Sequence, residues 1–322
     1  MHAVLSPPAE TLKPPAQIVI ALYLRLLREA RGMHQEKAAD FLGVSVSAVS
    51  RWERAQTPIP HPETLRQLLR LYGVKNPHKA FLVQSLPPAR RDRVEYGLAR
   101  RAFHDHWADV ADAEATARRI AVMRAASEVT EFCMRPPAGL RTQEYEQLVP
   151  SPDGPVLGLP SWVQSVGQAP GQRRTVLLDE FVLTEGGSHA AVVADQLRHL
   201  VGLVEREEPS GRGLRIRILP MDQALFIHDA FGPVAEVTVH GQRMVAGAGL
   251  FPYYETGSGS ARAVSAGLRE ALAAAWSREE THARLMSAAE AMERKAALTS
   301  ARTALSTRSN TTVLTPDGDP PS

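Results

Sequence analysis

The chain has 322 residues and a formal net charge of +2, with 44% hydrophobic and 22% charged residues. That composition is typical of a globular protein, and the length is sufficient for two domains. No apolar run reaches the roughly 18–20 residues that span a bilayer, and a single cysteine, Cys133, excludes an internal disulfide and a cysteine-rich zinc site.

The N-terminal residues 1–15 are rich in proline and lack the apolar core of a signal peptide. We therefore expect residues 1–15 to be disordered and the protein to be cytoplasmic. Charge is distributed unevenly: residues 1–110 hold 16 Lys and Arg against 10 Asp and Glu, and the remainder 21 against 25. A basic module joined to a mildly acidic one is typical of a DNA-binding domain on a larger partner domain, with chance asymmetry as the alternative.

Residues 16–75 predict an all-α domain of four short helices. Apolar residues at helical spacing from Leu22 indicate the first helix, which ends at Gly32. The second is predicted over Gln35–Leu42, and the third from the N-cap Ser45 through Arg54. The fourth is predicted over Pro62–Leu71, after the break at residues 57–60.

The segment from Met33 to Arg54 carries the strongest functional pattern. Ala39 is small where two helices must cross closely, and Gly43 supplies a turn that favours positive φ. Val44, Val49 and Trp52 are predicted to face the core. The residues left pointing outward lie at the N-terminal half of a helix, where a recognition helix contacts base edges; they are Ser45, Val46, Ser47, Ser50 and Arg51.

This segment resembles the XRE (Cro/C1-type) helix-turn-helix family, whose motif reads Q-E-x-x-A-x-x-L-G-V-S-x-x-x-V-S-R-W-E. The matching positions are Gln35, Glu36, Ala39, Leu42, Gly43, Val44, Ser45, Val49, Ser50, Arg51, Trp52 and Glu53. The resemblance implies a lambda-repressor-like fold that binds double-stranded DNA, with a palindromic operator and a homodimer as the expected arrangement. The family often has glycine two residues after this glutamate, where this chain has Ala55.

The resemblance also assigns roles to individual residues. The base-reading set is Ser45, Val46, Ser47, Ser50 and Arg51, of which Arg51 is the candidate for a bidentate contact to guanine. Phosphate contacts are assigned to Gln35, Arg54 and Gln56. Arg28 and Glu53 are expected to form a structural ion pair that locks the helices together.

Residues 76–112 read as a partly helical linker, and residues 113–295 as an α+β domain. The predicted helices are Ala113–Ala126, His189–Val204, Val264–Trp276 and Glu279–Met292. The predicted strands are Glu128–Met134, Thr175–Leu178, Leu214–Leu219, Val234–Val239 and Met244–Tyr254. Residues 296–322 are rich in Ser, Thr, Asn and Pro and are predicted to be a disordered tail.

This second region is similar to a C-terminal domain of unknown function that is common in actinobacterial XRE regulators. Shared pieces include Trp107, the run Gly139–Tyr145, Val176–Glu180 and Tyr253–Thr256. The loop at Pro137–Thr142 and the stretch Pro150–Gln172 depart from the usual pattern. The resemblance implies a domain that senses a small molecule or binds a partner protein, with a PAS-like or GAF-like fold as candidates, and it names no ligand.

Other combinations of polar residues give weaker evidence for a metal or catalytic site. His104, His106 and Asp109 have metal-binding side chains, but in a helix the two histidines would point about 200° apart. Asp179 and Glu180 end a predicted strand, where a capped turn or ion pair is the simpler interpretation. We therefore expect no enzyme activity, no cofactor and no metal. The leading hypothesis is a sequence-specific DNA-binding transcriptional regulator whose C-terminal domain dimerises and senses a small molecule or partner protein. The alternative is an antitoxin-like module that binds a small partner protein and autoregulates its operon.

Overall fold

The computed structural model describes residues 13–86, 105–149, 158–185, 189–223, 233–248 and 251–311. Residues 13–86 are called the head and residues 105–311 the body. The head contains α1 (Pro15–Ala30), α2 (Gln35–Leu42), α3 (Val46–Glu53), α4 (Pro62–Leu71) and α5 (Asn76–Ser85). A proline at the first or second position starts α1, α4 and α5, where its missing N–H has no helical partner to lose.

The body contains a seven-stranded sheet and five α-helices among its described residues. The strands are β1 (His106–Ala108), β2 (Glu128–Cys133), β3 (Arg173–Asp179), β4 (Gly213–Leu219), β5 (Val234–Val239), β6 (Gln242–Ala248) and β7 (Pro252–Glu255). The helices are α6 (Ala113–Ala125), α7 (Gln143–Leu148), α8 (Ala190–Glu205), α9 (Gly259–Ala274) and α10 (Arg278–Thr311). Short 3₁₀ turns cover Ser161–Ser165 and Glu180–Leu183.

The sheet is mixed, with strand order β1-β7-β6-β5-β2-β3-β4. Strands β2, β3 and β4 are parallel, and all other neighbouring pairs are antiparallel. On one face, the β5 side of the sheet shares a core with α1 and α6, while the β4 edge packs against α8 and α10. The opposite face packs against α9. The α+β architecture follows from this arrangement.

Helix α1 joins the head to the body. It begins at Pro15, ahead of the apolar residues from Leu22 that indicate the helix in the sequence, and residues on all of its sides are buried. One hydrophobic core contains Leu27 and Trp52 of the head together with Ala121 and Val237 of the body. The apolar spacing from Leu22 predicts one buried face of α1. The other face is buried as well, because the body packs against it.

Several predicted boundaries differ from the structure. Within the predicted linker 76–112, α5 packs onto the head through Leu82 and Val83, and β1 lies at the edge of the sheet. The run Met244–Tyr254 forms two antiparallel strands instead of one. The predicted tail begins at residue 296, but α10 continues through 296–311. Of residues 1–15, for which we expect disorder, Pro15 is instead the first residue of α1, and residues 1–12 lie outside the described residues.

The helix considered for His104 and His106 is not formed at His106, which lies in β1. His104 lies outside the described residues. The indole of Trp107 on the same strand stacks on Tyr254 of β7, so this three-residue strand is fixed by tertiary contacts. Among the described helices, none is both long enough and apolar enough to cross a membrane.

Candidate nucleic-acid interface

The turn between α2 and α3 places α3 at the surface of the head. Gly43 ends α2 in the left-handed region at φ 65°, which costs glycine little. The hydroxyl of Ser45 then accepts a hydrogen bond from the backbone N–H of Ala48 at 3.3 Å, capping α3. On the inner side, Ala39, Val49 and Trp52 are buried in the core. The local sequence thus fixes both ends of the turn.

The outer side of α3 carries the predicted base-reading residues. Ser45, Val46, Ser47 and Arg51 are exposed, and Ser50 is half-buried. Val46 is an apolar residue that leaves 38% of its surface in solvent, a placement suited to contact with a thymine methyl. The structure therefore brings all five predicted residues onto one accessible surface.

Two of the predicted phosphate contacts are engaged within the head. Arg54 folds back on α3 and donates to the Ser50 hydroxyl at 2.8 Å and to the Ser50 carbonyl at 3.2 Å. The Gln35 amide donates to Glu53 at 2.7 Å. Gln56 is exposed beyond the end of α3. In this conformation Gln35 supports Glu53, whereas Arg54 and Gln56 lie at the surface.

Arg28 and Glu53 form a buried, bidentate ion pair between α1 and α3. The Arg28 guanidinium donates to the two carboxylate oxygens at 2.6 Å and 2.9 Å, and also to the carbonyl of Met33 at 2.6 Å. Burial lowers the pKa of Arg28, but the hydrogen bonds and charge of Glu53 outweigh it and raise the pKa above its ordinary value. The pair therefore holds α3 against α1 with both charges compensated.

Ala55 follows α3 in the backbone conformation that glycine usually supplies. Its φ is 53° and its methyl group is fully buried. The next N–H, of Gln56, bonds back to the Arg51 carbonyl at 2.8 Å, closing the helix end. Although alanine stands where the usual pattern has glycine, α3 still ends at Glu53. The left-handed backbone of Ala55 is strained, because its Cβ disfavours positive φ.

The body reaches this part of the head through the tip of the β5–β6 hairpin. His240 and Gly241 form the two-residue turn, with φ of 51° and 71°. Burial, together with the positive charges of Arg25, Lys13 and Arg54, lowers the pKa of His240 to about 4. A neutral imidazole of the body therefore lies beside the basic residues of the head, a relationship that no local sequence signal indicated.

The remaining polar residues singled out in the sequence have structural partners. The Asp179 carboxylate accepts the N–H of Phe181 at 2.7 Å, and Glu180 accepts that of Met221 at 3.0 Å. Glu255 accepts hydrogen bonds from His106 and Ser258. Within the described ranges, the His, Cys, Asp and Glu side chains form no group of three or more able to hold a metal ion.

Residues 19–81 match the model of a family described as a helix-turn-helix domain. The match begins within α1 and extends into α5, beyond the predicted end of the domain at residue 75. The chain thus carries a helix-turn-helix domain, the DNA-binding module of transcriptional regulators. No curated protein and no solved structure gives a significant match to the chain.

Proposed function

We propose that the protein is a sequence-specific DNA-binding transcriptional regulator of the Cro/C1 type. The observation that supports this most directly is the exposed N-terminal half of α3, with Arg51 at its centre, on a helix fixed by the buried Arg28–Glu53 pair. Rigid placement matters because base discrimination depends on side chains held at fixed positions in the major groove. The proposal assigns no catalytic chemistry to the chain.

The proposed active form is a homodimer on a palindromic operator. Two copies of α3 would enter successive major grooves about 34 Å apart on one face of the duplex. Analytical ultracentrifugation of the full chain, with and without operator DNA, tests the stoichiometry. A single chain per operator would contradict the dimer while leaving base reading intact.

The body is proposed to control the head by responding to a small molecule or a partner protein. Support comes from the continuous core that α1 and α3 share with the body, since this core is the route by which a change in the body would reach α3. A ligand achieves this only through different affinities for two arrangements of head and body. Because head and body share one core, a change in their relative arrangement would involve the whole chain.

Genome-wide footprinting of the wild type and of Arg51→Ala tests the proposed base reading. We expect Arg51→Ala to lose discrimination at one base pair, by about 1–3 kcal/mol. Arg54→Ala is the matched control, because the loss of a phosphate contact lowers DNA affinity about equally at all sequences and reduces the salt dependence of binding. Undiminished discrimination by Arg51→Ala would overturn the proposal.

A further inference from the structure

A cavity of about 760 Å³ opens in the body between α6 and α8, above the parallel strands. Its floor is formed by Glu131, Arg174 and Leu214, which lie on the adjacent strands β2, β3 and β4. Residues of α6 form one wall, and Leu203 of α8 contributes to the other. This volume falls within the roughly 300–1,000 Å³ that is usual for small-molecule sites.

The described lining of this cavity is positively charged. It comprises the arginines Arg119, Arg124, Arg174 and Arg212 and the glutamates Glu131 and Glu208. Arg174 donates to Glu131 at 2.6 Å, so these two charges compensate each other. Arg119 brings a second guanidinium to the cavity wall and is only 3% exposed. Because a low-dielectric wall strengthens the field of such charges, the cavity favours an anion.

Apolar side chains accompany the arginines. Ile120 and Met123 line the α6 wall, Leu203 lies on the α8 wall, and Leu214 forms part of the floor. A site that combines convergent cations with apolar walls recognises a molecule with a charged group on an apolar body. Inorganic anions alone would leave these walls in contact with water.

We propose that this cavity binds a small organic anion, with its carboxylate or phosphate group on Arg119 and its neighbouring arginines and its apolar part between α6 and α8. Binding would be sensed by α6, because that helix also carries Ala117 and Ala121 in the core shared with α1. The coupling to DNA rests on the proposed regulatory function; the binding site itself does not.

Fluorescence titration of the full chain with 1-anilinonaphthalene-8-sulfonate tests the site. This probe joins an anionic group to an apolar ring system, and N-phenyl-1-naphthylamine is the same body without the charge. We expect saturable binding of one sulfonate probe per chain, at least tenfold tighter than the neutral compound. Equal affinity for the two compounds would overturn the proposal.

Variants locate the bound probe. We expect Arg119→Met to weaken sulfonate binding at least tenfold, and Arg212→Ala, an exposed residue at the rim, to weaken it about threefold. Leu203→Trp should also reduce binding by filling the space. Arg269→Ala is the control, since Arg269 is exposed on α9, across the sheet from the cavity. Unchanged affinity in Arg212→Ala and Leu203→Trp would overturn the assignment even if Arg119→Met did not fold.

The coupling is measured on an operator fragment recovered by footprinting. Saturating probe should change DNA affinity at least threefold, and DNA should change probe affinity by the same factor. The two proposals can fail separately. If sulfonate binding depends on the cavity arginines but DNA binding does not depend on Arg51, the proposed regulatory function is wrong and the anion site is supported. Specific DNA binding with probe affinity indifferent to the cavity variants would refute the anion site alone.

Discussion

The phenol of Tyr23, in the first helix of the head, donates a 3.0 Å hydrogen bond to the carboxylate of Glu114 at the start of α6. The same carboxylate accepts the indole N–H of Trp162 at 3.2 Å. Arg118 lies over the Tyr23 ring at 5.1 Å and forms a fully buried ion pair with Asp109. Head and body are therefore joined by directional polar contacts as well as by apolar packing, which fix α1, and α3 paired with it, relative to the body.

Removing the Tyr23 hydroxyl should weaken this junction. We expect Tyr23→Phe to lower the free energy of unfolding by about 1–2 kcal/mol, because the half-buried Glu114 carboxylate loses one of its donors. Urea denaturation followed by tryptophan fluorescence measures the change.

Tyr72→Phe provides the matched control. The Tyr72 hydroxyl is buried in the head and makes no hydrogen bond within the described part of the chain. Its removal should leave the stability unchanged or raise it. A comparable loss in both variants would show that the Tyr23–Glu114 bond contributes nothing specific.

The Arg28–Glu53 pair should be the most sensitive point of the head. Glu53→Ala leaves the Arg28 guanidinium buried without its carboxylate, and we expect a loss of about 3–5 kcal/mol in the free energy of unfolding. Glu63→Ala breaks the exposed Glu63–Arg66 pair on α4 and should cost less than about 1 kcal/mol. Differential scanning calorimetry of both variants distinguishes a buried pair from a surface one; equal costs would contradict this account.

The strained end of α3 gives a prediction about residue size. In Ala55→Gly the relief of the left-handed backbone, about 1–2 kcal/mol, is offset by the lost methyl burial of about 0.8 kcal/mol and a more flexible unfolded chain. We therefore expect Ala55→Gly to remain within about 1 kcal/mol of the wild type.

Ala55→Val should cost more than about 2 kcal/mol, because a β-branched residue at positive φ must also fit into a filled core. Thermal unfolding by circular dichroism measures both variants. A valine variant as stable as the wild type would mean that the positive φ is not maintained in solution.

His240 should make stability depend on pH. Its pKa is about 4 in the folded chain, below the ordinary value of 6.5, so the unfolded chain binds more protons between these values. Stability is therefore lost as the pH falls from 6.5 towards 4. After allowance for partial solvent exposure, the loss attributable to His240 should be about 1–2 kcal/mol.

His240→Asn isolates this contribution. Asparagine is favoured in a two-residue hairpin turn with positive φ, so the turn is retained while the titrating group is removed. Urea unfolding at pH 7 and at pH 4 should show a smaller difference for the variant than for the wild type. Equal differences would place His240 away from Arg25, Lys13 and Arg54 in solution.

Local signals were sufficient where neighbouring residues decide the structure. The Gly43 turn and the Ser45 cap are set within a few residues, and the alternation from Leu214 to Leu219 predicted β4. The internal order of the helix-turn-helix segment was therefore readable, including the outward surface of α3. The sequence also shows that Ala55 departs from the usual glycine, although its positive φ is evident only in the structure.

The first helix shows what the sequence by itself determined and what it did not. Its periodic apolar residues from Leu22 identified a helix with a core-facing side, and the motif that follows identified a helix-turn-helix. Only the tertiary structure brought Tyr23 to Glu114, His240 to the basic residues of the head, and Arg119 to the strands that carry Glu131 and Arg174. These contacts join residues far apart in the chain, and burial and electrostatic interactions between such residues exist only once the tertiary structure has brought them together.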